Sequence, residues 1–253
     1  MNKDILYLGD TKLDQAASYL AGIMSYCDIG FDYLASDKKP ERSFLDNDYK
    51  AIIISDYPAD NFSAEQLSSL MVKIKNGTGL LMIGGWGSFT GLDGRYNETP
   101  LKDVLPVVMA DGDDRVNQSG PCLVEMNCAH EIVAGLPFES DTPAISGFNE
   151  FKAKPDGIII LSSQRFTASY NGSLFKFAAG QSSPLLVAGS FGDGRTAAFA
   201  SDVAPHWVGP LVDWGDKRIT AQANGASQIE VGNWYAQFFA NLIQWVQKEK
   251  LKR

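Results

Sequence analysis

The feature that most constrains this chain is an alternation in its first third. Short apolar runs are separated by segments with helical periodicity. "DILYLG" (Asp4 to Gly9) reads as a strand, followed by "TKLDQAASYLAGIMSY", which sets Leu13, Ala16, Ala17, Leu20, Ile23 and Met24 on one helical face. "FDYLAS" is a second strand. "KAIIISDYP" is a third, and its nearly continuous apolar run is that of a parallel strand covered on both sides. In "SAEQLSSLMVKIKNG", Ser63 and Gln66 form a capping box, Leu67, Leu70, Met71 and Ile74 an apolar stripe, and Gly77 the stop. "GLLMIGG" is a fourth strand. The order β-α-β-β-α-β predicts an open α/β fold with a mostly parallel sheet and helices on both faces.

After Gly91 the pattern changes. Residues 91–127 are rich in Asp, Gly and Pro, with a short helix in "TPLKDVLP", and read as a loop-rich insertion in a single domain spanning 1–253. Strands resume in "DGIIILSS" and "PLLVAGSFGDGRTAAFASD", where Gly192, Asp193 and Gly194 supply a hairpin turn. A final helix, residues 231–248, places Trp234, Phe238, Leu242, Trp245 and Val246 at helical spacing for packing on the sheet.

Composition narrows the function classes. The chain has 253 residues, 45% hydrophobic and 21% charged, with net charge −8 and a pI near 4.8. Duplex nucleic acid and anionic membranes call for basic surface, so neither is an expected partner. No stretch approaches the ~18 apolar residues of a membrane span, and the N-terminal apolar run is too short for a signal peptide, so the expected location is cytoplasmic. Cys27, Cys122 and Cys128 are odd in number and irregularly placed, which argues against a disulfide framework. Cys122, Cys128 and His130 do not have zinc spacing, and no metal or cofactor is expected.

Two stretches carry candidate chemistry. Gly84 and Gly85 stand at the carboxyl end of a predicted strand, where open α/β sheets bind ligands. Free amides there would suit an oxyanion or carboxylate, although a tight strand exit uses glycines equally well. Ser88 is either a nucleophile, if a base reaches it, or a turn cap. In "ASDVAPHWVGPLVDW", Asp202, His206 and Trp207 would lie at the same edge and line one pocket with Trp86. His206 is then a general base oriented by Asp202, or a ring that pins the Pro205 turn. Arg95 and Tyr96, just after the glycine turn, offer contacts to an anionic ligand, the alternative being an ion-paired surface Arg. His130 fixes a loop.

"GGWGSFTGLDGRYNETPLKDVLPV", "GFNEFKAKPDGIIIL", "HEIVAGLP" and "GDGRTAAFASDVAPHW" together resemble the putative glutamine amidotransferase-like family. That family is a branch of the class I glutamine amidotransferase superfamily, related to trehalose-utilisation-type proteins. The resemblance spans roughly residues 5–245 and implies a flavodoxin-like three-layer α/β/α sandwich. In true class I amidotransferases a Cys nucleophile at the elbow works with a His and a Glu two residues apart. Here the Cys position reads Gly85, the His position reads His206, and the Glu position reads Val208. Without a thiolate no acyl-enzyme forms, so glutaminase activity is not expected.

Three readings remain. The first is a protein that binds a small polar or anionic ligand, or is regulatory, with a pocket of Gly84, Gly85, Trp86, Ser88, Asp202, His206 and Trp207. The second is an enzyme of other chemistry at that place, hydrolytic or sugar-modifying, using His206 or Asp202. The third is a homo-oligomer with "HWVGPLVDW" as its exposed interface.

Overall fold

The structure is a computed structural model that describes residues 3–249; the extreme ends of the expected 1–253 domain lie outside the described residues. The chain runs β1 (Ile5–Gly9), α1 (Ser18–Tyr26), β2 (Phe31–Leu34), α2 (Arg42–Asp46), β3 (Ala51–Ser55), α3 (Ala64–Lys75), β4 (Gly79–Ile83), α4 (Leu101–Val104), β5 (Val107–Met109), β6 (Arg115–Met126), β7 (Ala144–Asn149), β8 (Phe151–Ala153), β9 (Ile158–Tyr170), β10 (Phe175–Phe191), β11 (Gly194–Phe199), α5 (Pro205–Val208), β12 (Arg218–Ala221), β13 (Ile229–Gly232) and α6 (Asn233–Val246).

Nine strands form the main sheet in the order β2-β1-β3-β4-β11-β10-β9-β6-β7, with two small ribbons, β12–β13 and β5–β8, beside it. The first five strands are mutually parallel. The pairings from β11 to β7 are all antiparallel. The expected parallel sheet therefore describes one half, and the whole is mixed. The reason lies in the connections: parallel neighbours need a crossover, whereas the Gly192-Asp193 turn joins β10 to β11 directly.

The parallel half is built as its sequence requires. β1, β3 and β4 are buried at every residue. α3 begins with Ser63 and Gln66 in a reciprocal capping box and buries Leu67, Leu70 and Ile74. α6 buries most of its length, and its Tyr235, Phe238 and Phe239 pack with Phe199 in an edge-to-face aromatic cluster. α1 starts at Ser18, later than the periodicity suggests, with residues 13–17 forming turns ahead of it. The segment 91–127 contains α4 and β5, and its β6 joins the main sheet.

The order 2-1-3-4 reverses direction between β1 and β3. Such a reversal is where open α/β sheets in general bind ligands, and Asp10 and Asp56 follow the two strands that flank it.

Candidate functional site at the carboxyl edge

Three of the parallel strands deliver a carboxylate to this edge, and β4, between two of them, delivers the glycine turn. Asp10 follows β1, Asp56 follows β3, and Asp202 follows β11 by three residues. Asp10 and Asp56 both have left-handed φ, +47° and +49°, a region that Asp tolerates better than most side chains.

Asp202 is fully buried and forms the base of the site. Its Oδ1 accepts the amides of Val203 (2.5 Å) and Ala204 (3.3 Å), and its Oδ2 lies 2.8 Å from Nε2 of His206. His206 sits one turn on, in α5, with its side chain 59% exposed. The hydrogen bond to Asp202 raises the imidazole pKa above its ordinary value, against the opposing effect of partial burial, and Asp56 adds to the rise.

Asp10 is buried beside Tyr7, whose hydroxyl donates to its Oδ2. Burial pushes the Asp10 carboxyl well above the usual range, and the charges of Asp202 and Asp56 push it further; Tyr7 and Ser55 pull it back. Desolvation also raises the hydroxyls of Tyr7 and Tyr235 well above the ordinary tyrosine value; the Tyr235 hydroxyl donates to the Val203 carbonyl.

Asp56 joins the carboxylates to the glycine turn. Its Oδ1 accepts the Gly87 amide, and the Trp86 amide also stabilises the carboxylate. Even so, burial and then the charge of Asp202 raise its pKa to about 6.

The glycine turn is occupied by the protein itself. The Gly84 amide donates to the Phe199 and Ser201 carbonyls, and the Gly85 amide to Asn149 Oδ1 at 2.9 Å. With Trp86 and Gly87 held by Asp56, the amides expected to be free for a ligand are engaged. Gly85 has φ +154°, and a Cβ built there would fall 2.5 Å from Asp56 Oδ1. A side chain at this position would be strained by its backbone conformation and would displace the Asp56 carboxylate. Asn149, which also donates to Asp114 at 2.7 Å, ties the turn to the antiparallel half.

The other expected site residues separate into two groups. Trp86 is 51% exposed, with the Arg115 guanidinium 4.5 Å over one face of its ring. Ser88 is buried, and its Oγ accepts the Asp56 amide at 2.9 Å, the arrangement of a turn-fixing serine. Trp207 is buried, donates to Asn117 Oδ1 at 2.7 Å and lies against Gly147; it packs α5 onto β7 and faces no shared pocket with Trp86. Tyr96 is buried, its hydroxyl donating to the Tyr57 carbonyl. Arg95 is a surface residue paired with Asp60 (2.9 Å) and Glu98 (2.7 Å). His130 caps a short 3-10 turn, its Nδ1 accepting the Ile132 amide. Cys122 is buried, and Cys27 and Cys128 are half-buried. Among the described residues no group of three His, Cys, Asp or Glu is arranged to hold a metal ion.

Sequence reasoning missed Asp10, Asp56, Tyr7 and Asn149. Asp10 and Asp56 had a signal: in "YLGD" and "IISD" an Asp directly follows a parallel strand, at the ligand-binding edge.

This is an α/β protein whose polar groups lie outside the carboxyl ends of parallel strands, the edge at which open α/β sheets in general bind ligands. Within that class the chain belongs to the family described as putative glutamine amidotransferase, whose sequence pattern matches residues 3–224. Among solved structures it is similar to the cytoplasmic protein STM3548 of Salmonella typhimurium (27% identity, 96% of this chain and 98% of that one, TM-score 0.73). It is similar also to the cytoplasmic protein STM1381 of Salmonella typhimurium LT2 (26% identity, 96% and 98%, TM-score 0.72). The mmIFT52 N-terminal domain (13% identity, 98% and 100%, TM-score 0.58) shares the fold alone. No curated protein matches. Among the described residues no helix is long and apolar enough to cross a membrane.

Proposed function

We propose that this chain binds a small neutral, hydroxyl-rich molecule at the Trp86–Asp56–His206 edge, as a ligand-binding or regulatory protein without glutaminase activity. The observation that carries this reading is the elbow itself. Residue 85, the position that the family resemblance aligns with the nucleophile, is a glycine at φ +154° packed against the Asp56 carboxylate. A thioester mechanism needs a thiolate at that place.

The ligand class follows from charge and exposure. The charge of Asp202, which raises the pKa of both Asp10 and Asp56, disfavours an anion at this edge and narrows the expected small polar or anionic ligand to a polar one. Carboxylates and an imidazole accept and donate to hydroxyls, and an exposed indole offers a flat apolar face, the mixture that suits a sugar or polyol. The flavodoxin-like α/β/α arrangement belongs to the same proposal, supported by the 2-1-3-4 strand order with its switch point between Asp10 and Asp56. A cytoplasmic location is supported by the titles of the two Salmonella relatives. The acidic surface supports no duplex nucleic-acid or anionic-membrane partner.

A second reading has one specific support. A carboxyl with a pKa of about 6 next to an imidazole is tuned for general acid–base work near neutrality. Asp56 and His206 would then exchange a proton with a bound hydroxyl compound.

Thermal shift with monosaccharides, disaccharides and polyols at millimolar concentration tests the binding. At least one compound is expected to raise Tm, and Trp86→Ala or His206→Ala to abolish the rise. Unchanged shifts in both variants, or none across the panel in the wild type, overturn the site. Ammonia release from glutamine is expected to stay at background; turnover would overturn the reading of the elbow. Chemical conversion of the compound that binds, lost in Asp56→Asn, would favour the second reading.

A further inference from the structure

β9 and β10 continue beyond the sheet as an arm. After Gln164 on β9 and before Leu186 on β10, neither strand pairs with a third among the described residues. Residues 167–182 are exposed at every position. The segment "HWVGPLVDW", expected from sequence to be an exposed interface, is not comparable: Trp207, Val208, Leu211, Val212 and Trp214 are all buried. The arm reverses at Asn171–Leu174, where the Asn171 amide donates to the Leu174 carbonyl at 3.3 Å.

Asn171 is followed by Gly172, and such a pair carries its own reaction. The glycine nitrogen sits next to the carboxamide carbon of the asparagine, with no side chain to shield the approach, and a nucleophile already attached needs no encounter. The chain has three Asn-Gly pairs, at 76–77, 171–172 and 224–225, and their surroundings differ. At the arm tip Gly172 is exposed, and its amide donates to no group among the described residues. Beyond its chain neighbours no atom lies within 4 Å of the place a Cβ on Gly172 would take, so the approach is open. The Oδ1 of Asn171 accepts the amides of Ser173 at 3.2 Å and Leu174 at 3.0 Å. When the Gly172 nitrogen adds to Cγ, negative charge collects on Oδ1, where these two donors already point. At Asn76 the nucleophile is engaged, because the Gly77 amide donates to the Ile74 carbonyl at 3.0 Å at the end of α3. At Asn224 the side chain accepts no amide among the described residues, so only water meets the developing charge.

We propose that Asn171 is a self-modification site, converted through a cyclic imide to aspartate and isoaspartate by the Gly172 nitrogen, ahead of the other two Asn-Gly pairs. The Gly172 N–H gives its proton to hydroxide, the nitrogen bonds to Cγ, and the Cγ–Nδ2 bond breaks. Nδ2 leaves as ammonia, taking a proton from water and regenerating the hydroxide. Water then opens the imide, at Cγ to give aspartate or at the Asn171 backbone carbonyl to give isoaspartate. Between Gln164 and Ser183 the arm carries Arg165 and Lys176 and no carboxylate, so the product is its first acidic group. Isoaspartate also lengthens the main chain by the Cβ atom inside the reversal that Asn171 and Leu174 close.

Incubation of the full chain at pH 8, followed by peptide mapping with mass spectrometry, tests this. The peptide holding Asn171 is expected to gain the mass difference between amide and acid, with isoaspartate among its products. It should do so at least about fivefold faster than the peptide holding Asn224, the effect of one net amide hydrogen bond on a rate. Asn76 should be slowest. In urea, where the turn is lost, the three rates should converge. Asn171→Gln, whose longer side chain closes a less favourable ring, should leave position 171 intact and the other two rates unchanged. An Asn171 that stays intact in the folded chain overturns the proposal, as does an Asn224 or Asn76 that reacts as fast. An Asn171 advantage that persists undiminished in urea also overturns it, because the neighbouring residues and not the turn would then set the rate. The comparison among the three pairs is made within the wild-type chain and does not depend on the variant.

Discussion

At the scale of single residues, Asp56 is the group with the most measurable consequence. Its carboxyl is raised from 3.8 to about 6, first by burial and then by Asp202. A raised carboxyl binds its proton more tightly in the folded protein than in the unfolded one. Protonation therefore stabilises the fold: the penalty is absent below pH 3.8 and complete above about 6. His206 acts in the same sense, since its raised pKa gives stability that is present below its unfolded value and lost as pH rises. His130 acts oppositely, because burial lowers its pKa and it resists protonation as pH falls. The clean measurement is thus a comparison, with urea unfolding of wild type and Asp56→Asn at pH 8 and pH 5. The wild type is expected to gain on the order of 1 kcal/mol more than the variant on acidification, from the part of the Asp56 shift titrated in that interval. An equal gain in both would show that Asp56 ionises as an ordinary surface carboxylate. Of this cluster, Asp202 and His206 were legible in the sequence because a His four residues after an Asp at a strand end suggests a pair. Asp10 and Asp56 were passed over because the adjacent glycine stretch carries the more familiar pattern, and an Asp after a strand is equally the mark of an ordinary turn. Asp tolerates the left-handed backbone that both adopt, but that tolerance marks ordinary turns as well.

At the scale of elements, local chemistry read well and long-range packing did not. The α3 capping box, its apolar stripe and the Gly192-Asp193 hairpin each depend on residues within one or two turns of chain, and each stands as the sequence implies. The role of α5 depends on a contact across the fold. This short helix holds His206, and it is seated by Trp207, whose indole lies where a Cβ on Gly147 would be, 1.9 Å from that position. Its Nε1 is held by Asn117, a strand away on β6. Periodicity reports that Trp207 is apolar but not which surface it meets, so the sequence allowed it as a pocket wall. Gly147→Ala is expected to destabilise by about 2–3 kcal/mol, the cost of overpacking a rigid buried ring. It should also weaken any ligand shift that depends on His206, because α5 must move. In a double-mutant cycle with Trp207→Ala the two losses should be strongly non-additive; additive losses would mean that Gly147 is constrained by something other than the indole.

At the scale of the whole molecule, the sheet joins two kinds of architecture. The parallel half was legible because buried strands and amphipathic helices alternate there in a pattern few other folds use. The antiparallel half was not, because the long strands β6, β9 and β10 run through polar stretches such as "SSQRFTASYNGSLFKFAAGQSS" that carry no continuous apolar signal. In the arm the alternation of Phe166, Ala168 and Tyr170 is present in the sequence, but it marks a face with no covering element in the same chain. That difference predicts how stability is distributed. The parallel strands are buried throughout, whereas residues 167–182 are exposed at every position, so the arm adds little to the core of a single copy. Phe166 and Ala179 face each other across the ribbon. Replacing residues 167–178 with Asn-Gly closes the hairpin at that pair with a favoured two-residue turn. The shortened chain should unfold cooperatively with Tm within ~3 °C of wild type, a change of under about 1 kcal/mol for a chain of this size. A drop of ten degrees or more would place the arm inside the cooperative core. The shortened protein should also keep the pH response of Asp56, because nothing in the carboxylate cluster touches the arm.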